Sequence, residues 1–305
     1  MWRKPICSKP TTRCTTSCRF RLPAKATSGA ASKSRQVAAF TVAIPVYNGE
    51  RFLAEALRSI AVQNLDGVEV LVSDNASTDG TAAILAEWQD RLPLRVIRRT
   101  QTLPMRDHFN ALLDDVTSEA YMLLCHDDYL ADPAALDLAQ AALSDNPDVA
   151  SVYCDLVYVD DQRRTLAHRR FSRSGRFDPD ATGRKCLASG RNLFGIPIAI
   201  RRSALGETRY GDDFLYAMDI DLSWSLASKG GAFHIDRPLI ANRYSNDNMT
   251  WKLLGTTLSE YLGLARKHDS APGAIGRARL AAVCQFVTAQ KLAFRYYARA
   301  RAWLG

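Results

Sequence analysis

No apolar run in the 305-residue chain reaches the roughly 18 to 20 residues a membrane-spanning helix needs, because charged or polar side chains interrupt each candidate. A soluble or peripheral protein is expected. Cysteine is scarce and unpaired in its spacing: of seven thiols, Cys14 and Cys18 lie closest together, and neither a His nor a second Cys pair follows at ligand distance. That excludes a zinc-finger pattern, and scattered free thiols suit a reducing, cytoplasmic compartment. Internal repeats are absent, as is a glycine-rich basic loop after the first predicted strand. Residues 1–39 contain no Asp or Glu against nine Lys or Arg.

What is present is distributed unevenly. The formal charge of +8 sits at the two ends, for residues 250–305 carry nine further Lys or Arg against only Glu260 and Asp269. The middle, 40–249, is left at −8. An acidic body is a poor partner for nucleic acid, whose binding draws its affinity from cations set against phosphates. The basic ends suit the anionic face of a membrane, where each Lys or Arg adds about 1 kcal/mol. Residues 1–38, rich in Ser, Thr, Ala, Arg and Lys without hydrophobic period, read as a disordered basic tail. Residues 39–250 read as one catalytic domain, and 251–305 as a helical extension whose basic and aromatic end suits either an interfacial helix on anionic lipid or a helix packed on the domain.

From Phe40 the texture becomes α/β. Phe40 to Tyr47 is an apolar run ended by Asn48-Gly49, and Phe52, Leu53, Ala56, Leu57 and Ile60 recur at helical spacing. Val68–Ser73 predicts a second strand, closed by Asp74-Asn75-Ala76-Ser77-Thr78-Asp79-Gly80, with Ser77 or Thr78 as cap of the next helix. Strands at Leu94–Arg98 and Tyr121–Cys125 flank a helix at Asp107–Val116. Val149–Val159 reads as a strand, Arg163–Lys185 as irregular, Asp219–Ala227 as a helix and Ala232–Ile235 as a strand. The alternation predicts a mostly parallel sheet flanked by helices, with ligands at the carboxyl ends of its strands.

Polar clusters fall at those ends. Asp127-Asp128 closes an apolar strand, and adjacent carboxylates there repel unless a cation lies near. Mg²⁺ or Mn²⁺ meets that need, held by one or two carboxylates with phosphate oxygens and water completing the shell. The same pair also fits a turn leading to Asp132-Pro133. Asp74 can accept hydrogen bonds from a ligand or close its own Asx-turn.

Taken in order, Ile44-Pro45-Val46-Tyr47-Asn48-Gly49, then Ser73 to Thr81, then His126-Asp127-Asp128, then Met218-Asp219-Ile220-Asp221-Leu222-Ser223-Trp224, resemble family 2 of the inverting glycosyltransferases over about residues 40 to 250. The resemblance implies the GT-A (Rossmann-like) fold and transfer of a sugar from a nucleotide-diphosphate donor to an acceptor hydroxyl, in cell-surface polysaccharide, lipopolysaccharide or glycolipid synthesis, by a cytoplasmic enzyme or one peripheral on the inner membrane face. It also implies roles: Pro45, Val46, Tyr47 and Asn48 line the nucleotide pocket, Asp74 contacts the base, and Asp127 sits near ribose or sugar. Asp128 is the main metal ligand, Asp219 the catalytic base with Asp221 as rival, and Arg243 approaches the diphosphate. This chain departs from the family at Met218, where Glu is usual, and at Asn242 and Ser245, which stand where a Tyr and a His are expected. A nucleotidyltransferase of the same fold class and a non-catalytic sugar- or nucleotide-binding module remain the alternatives.

Overall fold

A computed structural model of the chain describes residues 38–227, 229–244 and 252–304. The expected tail (1–37 of its 38 residues) and Ser245 lie outside the described residues.

The first half is a run of parallel βα units. Strand β1 (Phe40–Val46) is buried along its whole length, as its apolar run requires. Helix α1 (Leu53–Ala61) buries Leu53, Ala56, Leu57 and Ile60, one face at helical spacing. Strand β2 (Val68–Asp74) pairs parallel with β1 from Phe40↔Val68 to Val46↔Asp74. Helix α2 (Thr81–Trp88), strand β3 (Leu94–Arg98), helix α3 (Met105–Asp115) and strand β4 (Ala120–Leu123) follow, β3 parallel to β2 and β4 parallel to β1. Parallel pairing brings the carboxyl ends of β1, β2 and β4 to one edge of the sheet.

The second half breaks the parallel rule. It holds β5 (Tyr129–Leu130), α4 (Ala135–Asp145), β6 (Val149–Val159), β7 (Thr165–Arg169), β8 (Gly175–Phe177), α5 (Pro179–Ser189), β9 (Pro197–Arg201), α6 (Arg202–Leu205), α7 (Met218–Ala227) and β10 (Gly231–Arg243). The sheet order is β3-β2-β1-β4-β9-β6-β10-β5, with β7 on β6 and β8 on β10. Antiparallel β9 is inserted between β4 and β6, and parallel pairing returns between β6 and β10. The stretch expected to be irregular, Arg163–Lys185, therefore contains β7, β8 and much of α5. These edge strands are short and β7 buries only Leu166, so they leave no alternating pattern to read. Helix α5 is marked conventionally, with Asp178 accepting from the N–H groups of Asp180 and Ala181 and Gly190 closing it in the left-handed region at φ 64°.

Two apolar layers sandwich the sheet. Val42, Ile44 and Val46 of β1 pack with α1, α2 and α4, whereas Ala43 faces the layer of Leu112 and Leu113 of α3 and Ile220, Leu222 and Trp224 of α7. That second layer is completed by α8 (Thr257–Lys267), through Tyr261 and Leu264, and by α9 (Ala274–Leu304), through Leu280 and Cys284. Among the described residues no helix is long and apolar enough to cross a membrane.

Candidate active site

The loops after β1 and β2 are stitched to each other by reciprocal hydrogen bonds. The N–H of Asn48 donates to Ser77 Oγ (2.9 Å), that of Gly49 to Thr81 Oγ1 (2.8 Å) and that of Glu50 to Asp79 Oδ2 (3.0 Å). In return, Thr78 N–H donates to Asn48 Oδ1 (2.9 Å) and Gly80 N–H to Glu50 Oε2 (3.0 Å). Asn48 and Ala76 turn these loops with φ of 51° and 59°, a region short polar side chains tolerate far better than Ala does. Ser77 and Thr78 thus serve the neighbouring loop and do not cap α2, contrary to the sequence expectation. The carboxylate at that helix start is Asp79, which accepts from Thr81 N–H at 3.0 Å. Gly49 permits the third loop to close in, since a Cβ there would stand 2.4 Å from Val46 Cγ2 and 3.0 Å from His126 Cδ2.

The residues singled out from sequence do gather at this edge, yet several are turned inward. Pro45 and Val46 are buried strand residues, and of the four only Tyr47 and Asn48 are exposed. Asp74 is buried: one oxygen accepts from Ser77 N–H at 2.9 Å and the other meets Arg98 at 3.2 Å, so its carboxylate closes a turn. These bonds resemble the turn-closing reading of Asp74, with the accepted N–H three residues on and not two.

Asp127 and Asp128 separate in the same way. Asp128 is buried, with one oxygen taking the Arg243 N–H at 2.8 Å and the other the Asn242 amide at 2.9 Å. Burial, with Asp127 alongside, raises its carboxyl well above the usual range, against those two hydrogen bonds and the Arg243 charge. Asp127 is half-buried. Cys125 completes the group, its Sγ and one oxygen from each aspartate lying within 4.8 Å of one another. Burial raises its thiol, helped by the charges of Asp128, Asp127 and Asp219. Sequence reasoning leaves Cys125 among the scattered thiols, although it sits two residues before Asp127 in the loop that follows β4.

Arg243 corrects an expectation. It does not reach toward a donor: its side chain is fully buried, ion-paired to Glu55 at 2.5 Å and bonded through Nε to Asp127 O (2.9 Å) and through Nη1 to Asp160 O (2.9 Å). Its guanidinium lies 4.3 Å from the Phe52 ring centroid. The side chain ties β10 to α1, to the Asp127 loop and to the end of β6. It holds the acidic loop from behind.

Asp219 and Asp221 open helix α7 and diverge as well. Asp221 is buried, bound to Lys267 Nζ at 2.7 Å and His268 Nε2 at 3.1 Å. Burial alone would raise its carboxyl, but the hydrogen bonds from His268 and Lys267 prevail and hold it below the usual range. Both its oxygens are thereby engaged by partners from another segment. Asp219 has no hydrogen-bond partner for its carboxylate among the described residues. Its side chain is open to water on one side, while the protein behind it strips enough hydration to raise the carboxyl above the usual range. Those two facts agree for a group on the floor of a crevice, and its influence on the Cys125 thiol sets it near the acidic loop.

The arrangement resembles known proteins. The profile of glycosyl transferase family 2 matches residues 41–208, more than half of the chain. An uncharacterized protein of Mycobacterium tuberculosis is 36% identical over 106 residues, 33% of this chain and 30% of that protein. Abequosyltransferase RfbV of Salmonella typhimurium is 31% identical over 132 residues, 40% of this chain and 39% of that one. Poly(ribitol-phosphate) beta-N-acetylglucosaminyltransferase TarS of Staphylococcus aureus is 31% identical over 103 residues, 33% of this chain and 18% of that one. The chain thus spans well under half the length of these relatives. Among solved structures, residues 1–349 of S. aureus TarS in complex with UDP-GlcNAc superimpose with a TM-score of 0.57 at 17% identity, covering 72% of this chain and 66% of that one. The mannosyltransferase PcManGT of Pyrobaculum calidifontis, in complex with GDP-Man and Mn²⁺, gives 0.57 at 20% identity, covering 88% and 75%. The fold is that of the GT-A glycosyltransferases, and with the profile spanning β1 to the end of the β9–α6 region the chain belongs to glycosyl transferase family 2.

Proposed function

We propose that the chain moves a sugar from a nucleotide-diphosphate sugar to an acceptor hydroxyl, with inversion, in the building of cell-surface polysaccharide, lipopolysaccharide or glycolipid. The observation that carries this reading is the acidic cluster beyond the strand ends, where the half-buried Asp127 gathers with Asp128 and Cys125, and an exposed Asp219, without a hydrogen-bond partner among the described residues, lies near enough to act on the Cys125 thiol. Relatives named for abequose and N-acetylglucosamine transfer support it, as do structural neighbours holding UDP-GlcNAc and GDP-Man.

The donor set fits a divalent cation. The Asp127 charge alongside helps raise the Asp128 carboxyl, a repulsion that a cation would relieve, and Asp127 is half-buried with no side-chain hydrogen bond among the described residues. Asp127 would hold Mg²⁺ or Mn²⁺, with Asp128 fixing the loop behind it; the expected order of the two residues is reversed because Asp128 spends its oxygens on Asn242 and Arg243. When bound, the ion neutralises charge growing on the departing diphosphate. Tyr47 and Asn48 border the nucleotide, and Asp74 shapes their loop from within. Asp219 accepts the proton of the attacking hydroxyl, and its raised carboxyl makes it a stronger base than an ordinary aspartate.

Peripheral seating on an anionic membrane goes with this reading. Helix α9 buries Leu280, Cys284 and Val287, while Ile275 (88% exposed), Phe286 (62%) and Tyr296 (68%) remain outside in a strongly basic segment. Full-length protein should co-sediment with phosphatidylserine vesicles, and equal partitioning of a Phe286→Asp/Tyr296→Asp variant would count against seating through this face. For the reaction itself, UDP-GlcNAc and GDP-mannose offered with Mn²⁺ should release nucleoside diphosphate. The absence of nucleotide binding as well as release, across a panel of nucleotide sugars, would contradict the proposal.

A further inference from the structure

We propose that Glu260 is a positioning residue for the turn that bears Asp219, an inference that rests on the assignment of Asp219 as base. One oxygen of Glu260 accepts three successive backbone N–H groups, from Leu215 (3.0 Å), Tyr216 (2.7 Å) and Ala217 (2.9 Å). The other accepts Thr256 Oγ1 at 2.7 Å. These N–H groups converge immediately before Met218 and Asp219, at the start of a helix, where donors lack intrahelical partners and a negative charge is favoured. Glu260 is itself buried, so the carboxylate is committed to this contact. Helix α8 supplies it from well downstream in the chain, and the start of α7 is thus set by tertiary structure.

The same helix grips α7 a second time. Lys267 and His268 hold Asp221, and the His268 ring stacks on Trp224 with centroids 4.2 Å apart and planes 3° from parallel. Trp224 in turn donates through Nε1 to Asp180 at 2.7 Å, and Gly183 lies so close beneath it that a Cβ would stand 2.2 Å from the indole. Asp219 sits between the two grips and shares in neither. Rigid support on both sides with a free carboxylate between is the arrangement a positioned base requires, since small misplacements of a reacting group cost rate steeply. Both α7 and α8 lie beyond residues 41–208, so this grip belongs to the part of the chain outside the family profile.

The test compares Glu260→Ala and Glu260→Gln in the full chain. Amide hydrogen exchange across 215–221 should quicken by about tenfold or more in Glu260→Ala and less in Glu260→Gln, whose carbonyl still accepts. Nucleoside diphosphate release from UDP-GlcNAc with Mn²⁺ should lose about tenfold in kcat at unchanged donor KM, with partial recovery in the Gln variant. Unchanged exchange at 218–221 overturns the proposal. So does faster exchange with kcat per folded molecule intact, or a loss matched by the fraction unfolded. Asp219→Asn run in parallel separates the two ideas: retained turnover there sinks the base assignment, whereas the exchange result, which needs no substrate, reports on the grip alone.

Discussion

The pair at the end of β4 and the pair at the start of α7 consist of the same residue and divide it the same way. Asp127 is half-buried and Asp219 exposed; Asp128 and Asp221 are buried and held by partners from distant segments, Asn242 and Arg243 in one case, Lys267 and His268 in the other. The lesson is that a carboxylate's availability is decided by what docks behind it. A spent carboxylate stabilises the loop or helix that holds its neighbour out to substrate.

Breaking that comparison at α7 gives the largest effect. Asp219→Asn should lower turnover by about 10²- to 10⁴-fold with nucleotide affinity kept, as expected for loss of a general base. Asp221→Asn should instead cost about 1 to 3 kcal/mol of stability in urea melts, with turnover per folded molecule near normal. A swap of the two outcomes would reverse the assignment. The pH profiles sharpen the same contrast. A general base works only when ionised and the Asp219 carboxyl is raised, so with Asp219 in the role proposed above the wild-type rate should fall with acid at a midpoint above the ordinary aspartate range, and Asp219→Asn should lose that limb. Asp221 has a depressed carboxyl, so its contribution to stability is whole above the unfolded value of about 3.8 and is lost as pH drops through the lower folded one.

Behind β4, Arg243→Met should destabilise by about 3 to 5 kcal/mol, because it leaves Glu55 only the exposed Arg163 at 3.3 Å and removes the hydrogen bonds to Asp127 O and Asp160 O. Chemical denaturation checks this. A neutral result would mean that the acidic loop is held by something other than this side chain.

Much of this was legible before any coordinates. Strands β1, β2 and β4 announce themselves because parallel strands buried on both faces read as near-continuous apolar runs, and the polar clusters beyond them locate the candidate site. The family resemblance supplied Asp219. What could not be read was which member of each acidic pair is free, since that depends on β10 lying parallel to β6 and on α8 reaching back to α7. Arg243 misleads for the same reason: the resemblance turns it toward a diphosphate, whereas the structure sets it at the end of β10 against the Phe52 ring and Glu55. Glu260 carries no local signal at all, being one of two acidic residues in a basic extension.

The most direct test is a thermal-shift comparison of wild type, Asp127→Asn and Asp128→Asn with UDP or GDP, each with and without Mn²⁺. Ligand at about 100 times its Kd should add about 2.7 kcal/mol of apparent stability. The account predicts that Mn²⁺ with the nucleotide raises Tm in wild type, that Asp127→Asn loses this rise while keeping its own melting point, and that Asp128→Asn melts lower yet still responds. A full metal-dependent rise in Asp127→Asn would contradict it.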